Sequence, residues 1–193
     1  MAPLGNLDSL NLVACVLIRY LNYIRLWDLS DYAILAIAYP RKEQARDARP
    51  LCLVFGAQLV SGWTDGFILS HDIDTGTPQW FIDNAHTGGV TALAQSFNGK
   101  FVLSGGSMGE VRLWELRSRE LISHLKGHSQ RVTSIVIAPD DCSATTCSRD
   151  RSIARWELQT EKRVHSIQQR MGGINAVVVS KDSTCIIRLN YLD

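Results

Sequence analysis

The sequence predicts an all-β fold in which one unit of about 43 residues recurs along the chain. Three segments of similar sequence are the main observation: IRLWDL at 24–29, VRLWEL at 111–116 and IARWEL at 153–158. A related segment, ILSHDI at 68–73, lies between the first and the second. The fourth residues of these segments, at 27, 71, 114 and 156, are 44, 43 and 42 positions apart. The chain therefore repeats one unit at nearly constant length.

Within each unit, short alternating segments predict antiparallel strands. Residues 90–94 and 132–136 alternate with a period of two, and turn-forming residues follow each of them, Asn98-Gly99 in one unit and Pro139-Asp140-Asp141 in the other. No segment has the periodicity of a long amphipathic helix, so four strands per unit are expected. The later strands are predicted at 101–104, 110–114 and 121–125 in one unit, and at 143–147, 152–156 and 163–167 in the next.

The composition is that of an ordinary globular domain. The chain has 193 residues, of which 46% are hydrophobic and 20% charged, and its formal net charge is +1. This balance argues against a polybasic segment that binds nucleic acid. The five cysteines form no CxxC pair and no zinc pattern, and no phosphate-binding glycine motif is present, so we expect free thiols and no metal or cofactor. The apolar run at 10–21 is shorter than the ~20 residues that span a bilayer, so no membrane contact is expected.

The repeats resemble the WD40 family, whose units of about 40–45 residues end in Trp-Asp and form the four-stranded blades of a β-propeller. The resemblance covers residues 10–187, and about four blades of an expected seven are recognisable. The expected fold is therefore an incomplete WD40 propeller that belongs to a larger one. The repeats are assigned to 10–38, 50–82, 85–125, 127–167 and the start of another at 171–187, with tails at 1–9 and 188–193 and a charged segment at 39–50 that fits no strand.

The resemblance also implies a structural tetrad of hydrogen-bonding residues in each blade. Its members are a His before the first strand, a Ser or Thr in the second strand, an Asp in the following turn and a Trp in the third strand. Three repeats carry matching residues, and the last of the three matches completely. The residues are His128, Thr146, Asp150 and Trp156; His86, Ser104 and Trp114, with Met108 at the Asp position; and Ser61 and Asp65, with His71 at the Trp position and no His at the start.

A hydroxyl, a histidine and a carboxylate also occur together in nucleophilic catalysis. Two observations favour the structural role for these residues. A catalytic triad needs an exposed hydroxyl and an oxyanion hole, and a catalytic site has no reason to recur every 42 residues. We therefore expect no catalytic residue and no enzymatic activity.

Three residues are candidate contacts for a protein partner. Trp63 is predicted in a turn between the second and third strands, where it either contributes to an interface or folds back over a neighbouring blade. Arg131 and Arg149 are predicted, with Arg151, in turns of one repeat. They form either a small positive patch or an ordinary solvated rim.

Two segments resemble a narrower group, the ciliary and flagellar WD-repeat proteins of the doublet-microtubule lumen. They are SGWTDGFILSHDIDTG at 61–76 and NAHTGGVTALAQSFNGKFVLSGGSMGEVRLWEL at 84–116. This resemblance implies a cytoplasmic scaffold in the axoneme of cilia and flagella, with tubulin and other axonemal proteins as partners. The alternative is a general WD40 adaptor, such as a substrate receptor of a ubiquitin ligase or a scaffold for ribosome or ribonucleoprotein assembly.

Overall fold

A computed structural model of the chain describes residues 12–15, 23–28, 33–39, 48–55, 58–170, 172–179 and 186–190. These residues form strands joined by turns and contain no helix, so the predicted all-β fold is confirmed. The strands are β1 (Leu12–Cys15), β2 (Ile24–Asp28), β3 (Ile34–Ala38), β4 (Pro50–Phe55), β5 (Leu59–Trp63), β6 (Ile68–His71), β7 (Pro78–Ile82), β8 (Val90–Gln95), β9 (Phe101–Gly106), β10 (Val111–Glu115), β11 (Leu121–Leu125), β12 (Val132–Ile137), β13 (Ser143–Ser148), β14 (Ser152–Glu157), β15 (Lys162–Gln168), β16 (Ile174–Val179) and β17 (Ile186–Asn190).

The strands form five antiparallel sheets that follow one another along the chain. Each sheet is a meander, in which strands adjacent in sequence also pair in space, because antiparallel neighbours need only short turns. Sheets of four short strands are the blades of a propeller. We number the sheets as blade 1 (β1–β3), blade 2 (β4–β7), blade 3 (β8–β11), blade 4 (β12–β15) and blade 5 (β16–β17).

Two predicted boundaries differ from the structure. Strand β17 ends at Asn190, so residues 188–190 belong to blade 5 and not to a C-terminal tail. Pro50 was assigned both to the charged segment at 39–50 and to the start of the repeat at 50–82, and it begins β4, in agreement with the second assignment. A proline is tolerated there because the first residue of a strand need not donate a ladder hydrogen bond. The rest of that segment, at 40–47, and the predicted tail at 1–9 lie outside the described residues.

The hydrophobic core lies between consecutive blades. The first strands β4, β8, β12 and β16 contact one another in turn. Between blades 3 and 4, Leu103 and Val111 pack in one cluster with Val132 and Ile135, and corresponding clusters join the other neighbouring blades. Both faces of blade 2 are consequently covered, and every residue of β5 and β6 is buried.

Glycines in the second strands allow the next blade to approach closely. A Cβ atom on Gly62 would lie 2.5 Å from Cγ1 of Val90 in the first strand of blade 3. A Cβ atom on Gly105 would lie 2.5 Å from Cγ1 of Val132 in the first strand of blade 4. The two glycines are 43 positions apart and make the same contact, so the close approach is a repeated feature of the fold.

Threonines beside these contacts bind each blade to the next. The hydroxyl of Thr91 donates to the carbonyl of Val132 across 2.5 Å. The hydroxyl of Thr133, one repeat later, donates to the carbonyl of Ile174 across 2.6 Å. Both threonines are in the first strand of their blade, so the first strands of neighbouring blades are joined by hydrogen bonds as well as by apolar packing.

We expect Gly105→Ala to destabilise the chain by about 1–3 kcal/mol, because the added methyl group overpacks the interface with Val132. Gly173→Ala is the matched control, since its Cβ would lie 3.5 Å from the nearest atoms of Arg149, an ordinary contact. Urea unfolding followed by tryptophan fluorescence measures both variants. Equal midpoints for the two variants would contradict a close-packed interface at Gly105.

Candidate functional site

A buried hydrogen-bond network lies within blade 4. The indole of Trp156 donates to Oγ1 of Thr146 across 2.8 Å, and Nε2 of His128 lies 2.7 Å from the same oxygen. The other ring nitrogen of His128, Nδ1, lies 3.1 Å from Oδ2 of Asp150 and 2.8 Å from the hydroxyl of Ser152. The structure thus brings together the four side chains that the sequence analysis grouped in this repeat.

Donors on both sides of its turn hold the carboxylate of Asp150. The amide of Ser129 donates to Oδ2 across 2.9 Å, and the amide of Ser152 donates to Oδ1 across 2.8 Å. Burial acts to raise the pKa of Asp150, but the hydrogen bonds from Ser152 and Ser129 outweigh it and lower the pKa overall. Burial lowers the pKa of His128, although the charge of Asp150 opposes this. The neutral ring therefore carries its proton on Nδ1, facing the carboxylate, and Nε2 accepts from the threonine hydroxyl.

Blade 3 builds the same kind of network with a carboxylate from a different position. Nε2 of His86 lies 2.7 Å from Oγ of Ser104, which also accepts from the indole of Trp114 across 2.8 Å. In the sequence Met108 occupies the Asp position, and no carboxylate was predicted for this repeat. In the structure Glu110 supplies it, with Oε2 3.1 Å from Nδ1 of His86.

The longer side chain of glutamate explains how Glu110 reaches the ring from two positions further along. Its other oxygen, Oε1, pairs with Nη2 of Arg112 across 3.2 Å, and Nη1 of Arg112 donates to the carbonyl of Ala85 across 2.7 Å. The side chain of Met108 takes no part in the network and is 67% exposed. The signal available in the sequence was an acidic residue two positions after the missing Asp.

In blade 2 the buried hydroxyl of the second strand accepts a hydrogen bond from a tryptophan of the same strand. The indole of Trp63 donates to the hydroxyl oxygen of Ser61 across 2.9 Å. Trp63 is the last residue of β5, is 0% exposed and packs in the cluster between blades 1 and 2. The prediction that Trp63 lies in a turn and contacts a partner is therefore wrong, and its alternative, packing over a neighbouring blade, describes the structure.

The space for the Trp63 indole comes from the absent histidine. In blade 3, the residue two positions after Ser104 is Gly106, and a Cβ atom there would lie 2.5 Å from Nδ1 of His86. The sequence has no histidine before residue 71, so no imidazole occupies the corresponding place in blade 2. The residue two positions after Ser61 is Trp63, and its indole supplies the hydroxyl oxygen with a donor.

The two other polar residues of this repeat have local partners. Oδ1 of Asp65 accepts from the amide of Phe67 across 3.3 Å. Nε2 of His71 lies 3.1 Å from the carbonyl of Tyr39, next to blade 1. Among the described residues no hydrogen bond joins Asp65 to Ser61, and the sequence before the first strand of blade 2 has no histidine that could bridge them.

The two candidate arginines lie next to each other beside the blade 4 network. The amide of Arg149 donates to the carbonyl of Arg131 across 3.0 Å. The Arg149 side chain is exposed, and Arg131 is half-buried. Burial lowers the pKa of Arg131, and the charge of Arg149 lowers it further. Within the described part of the chain, neither arginine forms an ion pair with a carboxylate.

The geometry of the three networks suits a structural role. The hydroxyls of Ser61, Ser104 and Thr146 belong to residues that are 0% exposed, and each accepts a hydrogen bond from an indole. The described residues contain no group of three or more His, Cys, Asp or Glu side chains arranged to hold a metal ion. They also contain no helix that is long and apolar enough to cross a membrane.

Two stretches of the chain, 77–115 and 119–157, match the family model described as WD domain, G-beta repeat. The first covers β7 to β10 and the second covers β11 to β14. Each matched repeat therefore begins with the fourth strand of one blade and continues through the first three strands of the next. The chain carries WD40 repeats, and the resemblance stated from the sequence is confirmed.

Among WD40 proteins, the chain is similar to cilia- and flagella-associated protein 52. It is 36% identical to the Homo sapiens protein over 110 residues, which are 56% of this chain and 18% of the relative. Identity to the Sus scrofa protein is 33% over 148 residues, which are 72% of this chain and 23% of the relative. Identity to the Chlamydomonas reinhardtii protein is 34% over 152 residues, 76% of this chain and 24% of the relative. The matched part of the chain spans at most a quarter of the length of these relatives.

Replacing Glu110 tests its place in the blade 3 network. Glu110→Ser removes the acceptor for His86 and should cost about 1–3 kcal/mol of stability. Adding Met108→Asp should restore most of this loss, because the pair then reproduces Asp150 and Ser152 of blade 4. Met108→Asp alone should bring no gain, since Nδ1 already has an acceptor. Urea unfolding of the three variants and the parent gives the coupling energy. A double variant no more stable than Glu110→Ser would contradict the assignment.

We expect the stability of the chain to fall as the pH is lowered from about 6.5 to about 4. Burial lowers the pKa of His86 to about 4, and it also lowers the pKa of His128. A histidine with a lowered folded pKa binds protons more readily in the unfolded chain. Its contribution is therefore complete above the unfolded pKa of 6.5 and is lost as the pH falls toward the folded value.

Urea midpoints measured across this pH range test the expectation. His86→Gln should flatten the dependence on pH, whereas His165→Gln, at an exposed position of β15, should leave it unchanged. If the urea midpoint of the His86 variant changes with pH as that of the parent does, the His86 ring does not cause the loss of stability in acid.

Proposed function

We propose that the chain is a non-catalytic scaffold for protein interactions in cilia and flagella, and that it forms part of the structure of axonemal microtubules. The observation that carries this proposal is the similarity to cilia- and flagella-associated protein 52 over 72% of the chain in a mammal and 76% in an alga. The names of these relatives associate them with cilia and flagella. The proposed location of the chain is the cytoplasm at the axoneme.

The arrangement of the polar groups supports a scaffold without catalysis. In blades 3 and 4, the hydroxyl, imidazole and carboxylate groups of the networks bond to one another beside the turn between the second and third strands. A rigid frame of this kind leaves the exposed turn residues to determine which partner is bound. The proposed partners are tubulin and other axonemal proteins, and Arg131 and Arg149 are the proposed contacts on this chain.

Expression in a ciliated cell tests the location. A tagged form of the chain should concentrate along the axoneme and remain there after detergent removes the membranes. The control is the same chain with Trp156→Ala, which loses the indole donor to Thr146 and should be depleted from the axoneme because the blade is destabilised. Nuclear or diffuse cytosolic staining of the parent chain would contradict the axonemal role and favour a general WD40 adaptor.

A further inference from the structure

Three loop segments meet on one end of blades 3 and 4. A Cβ atom on Gly109, in the turn after β9, would lie 2.5 Å from the carbonyl oxygen of His128. On the other side of the same loop, the amide of Arg149 donates to the carbonyl of Arg131. The loop before β12 is therefore enclosed between two turns, and the three form a continuous surface. We call this the upper surface and define it as residues 107–109, 128–131 and 149–151.

The upper surface carries an exposed apolar side chain. Met108 is 67% exposed in a turn whose counterpart in blade 4 places Asp150 against a histidine. Because Glu110 supplies the carboxylate in blade 3, Met108 takes no part in the network, and its side chain is exposed to solvent. Methionine is flexible and polarizable, and it adapts to irregular apolar partners. The side chain is suited to contact a residue that is brought by another molecule.

The upper surface is also locally cationic. Arg131, Arg149 and Arg151 all lie on it, and none of the three forms an ion pair with a carboxylate of the described residues. Nη1 of Arg151 donates to the carbonyl of Arg170 across 3.1 Å, which fixes this side chain beside the turn. The one carboxylate on the same surface, Asp150, bonds to Ser129 and Ser152, so the three arginines outnumber it.

Comparison with the preceding repeat shows that the fold does not require these arginines. The positions 42 residues earlier are Gly89, Ser107 and Gly109, none of which is charged. Blade 3 forms the same turns without them. The three cations therefore need an explanation other than the stability of the turn.

We propose that the upper surface of blades 3 and 4 binds an acidic segment of a protein partner, which places an apolar side chain against Met108. Charge complementarity favours an acidic partner, since the surface carries three arginines that pair with no carboxylate of the described residues. Arginine and methionine are both enriched in protein interfaces. A nucleic acid would need a larger positive surface than one cluster on a nearly neutral chain. This inference rests on the proposed function as a protein-interaction scaffold.

A direct binding assay tests the proposal. The probe is a fluorescein-labelled peptide of glutamates around a single leucine, and fluorescence anisotropy is measured against the whole chain. Binding should weaken as salt is added, because exposed charges are screened. Arg149→Gln should weaken binding about twofold, and Arg149→Glu should weaken it about fivefold or more. Met108→Ser should weaken binding of this peptide but not of a peptide that contains glutamate alone.

The matched control is Arg117→Glu, which makes the same charge change in the exposed turn between β10 and β11. It should bind the peptide as the parent does, and the urea midpoints of all variants should agree. Equal weakening by Arg117→Glu and Arg149→Glu would overturn the proposal, because binding would then depend only on net charge. Equal affinity for a labelled single-stranded DNA of the same charge would also overturn it.

The outcomes separate this inference from the proposed function. If the peptide does not bind but the chain still locates to the axoneme, the upper surface is excluded as a binding site for an acidic segment, and the axonemal role stands. If the peptide binds and the chain does not locate to the axoneme, the surface stands and the axonemal role is excluded.

Discussion

The hydroxyl group on the second strand of each four-stranded blade is the group on which the surrounding contacts depend. These hydroxyls belong to Ser61, Ser104 and Thr146, and all three residues are fully buried. Each hydroxyl oxygen accepts a hydrogen bond from an indole. A buried hydroxyl without partners costs about 1–3 kcal/mol by mutational data, so the neighbouring strands and loops must supply donors and acceptors. In blades 3 and 4 a histidine meets this requirement, and its contact with the hydroxyl places the loop before the first strand against the second strand.

The three blades meet this requirement with different residues. Blade 4 uses a histidine whose other nitrogen faces Asp150, and blade 3 uses a histidine that faces Glu110. Blade 2 has no histidine before its first strand, and Trp63 donates to the hydroxyl from the same strand as Ser61. The residues that meet the requirement thus change from blade to blade, and the hydroxyl has two hydrogen-bond partners in blade 2 against three in blades 3 and 4. One consequence is that the Met108 side chain is not needed in the network and is exposed at the surface, where a partner can contact it.

These exchanges also explain which parts of the structure the sequence predicts. Strand order follows from local pattern, since alternation and turns such as Asn98-Gly99 act over a few residues. The blade 4 network is predictable because each member occupies its usual position. The role of Glu110 depends on the reach of a longer side chain. The burial of Trp63 depends on a histidine that is absent. Both are relations in space, so a comparison of single positions between repeats did not find them.

The backbone of the upper surface connects the buried network to the proposed binding site. Gly66, Gly109 and Arg151 occupy the same turn position in blades 2, 3 and 4, and their φ angles are 89°, 86° and 71°. Glycine adopts this left-handed conformation without penalty, whereas a residue with a Cβ atom pays about 1–2 kcal/mol. The carboxylate of Asp150 accepts from the amide of Ser152, across Arg151, and from the amide of Ser129 in the neighbouring loop, and so holds Arg151 in this conformation. The buried network thus offsets a conformational cost at the surface, and the result is a cation that blades 2 and 3 lack at this position.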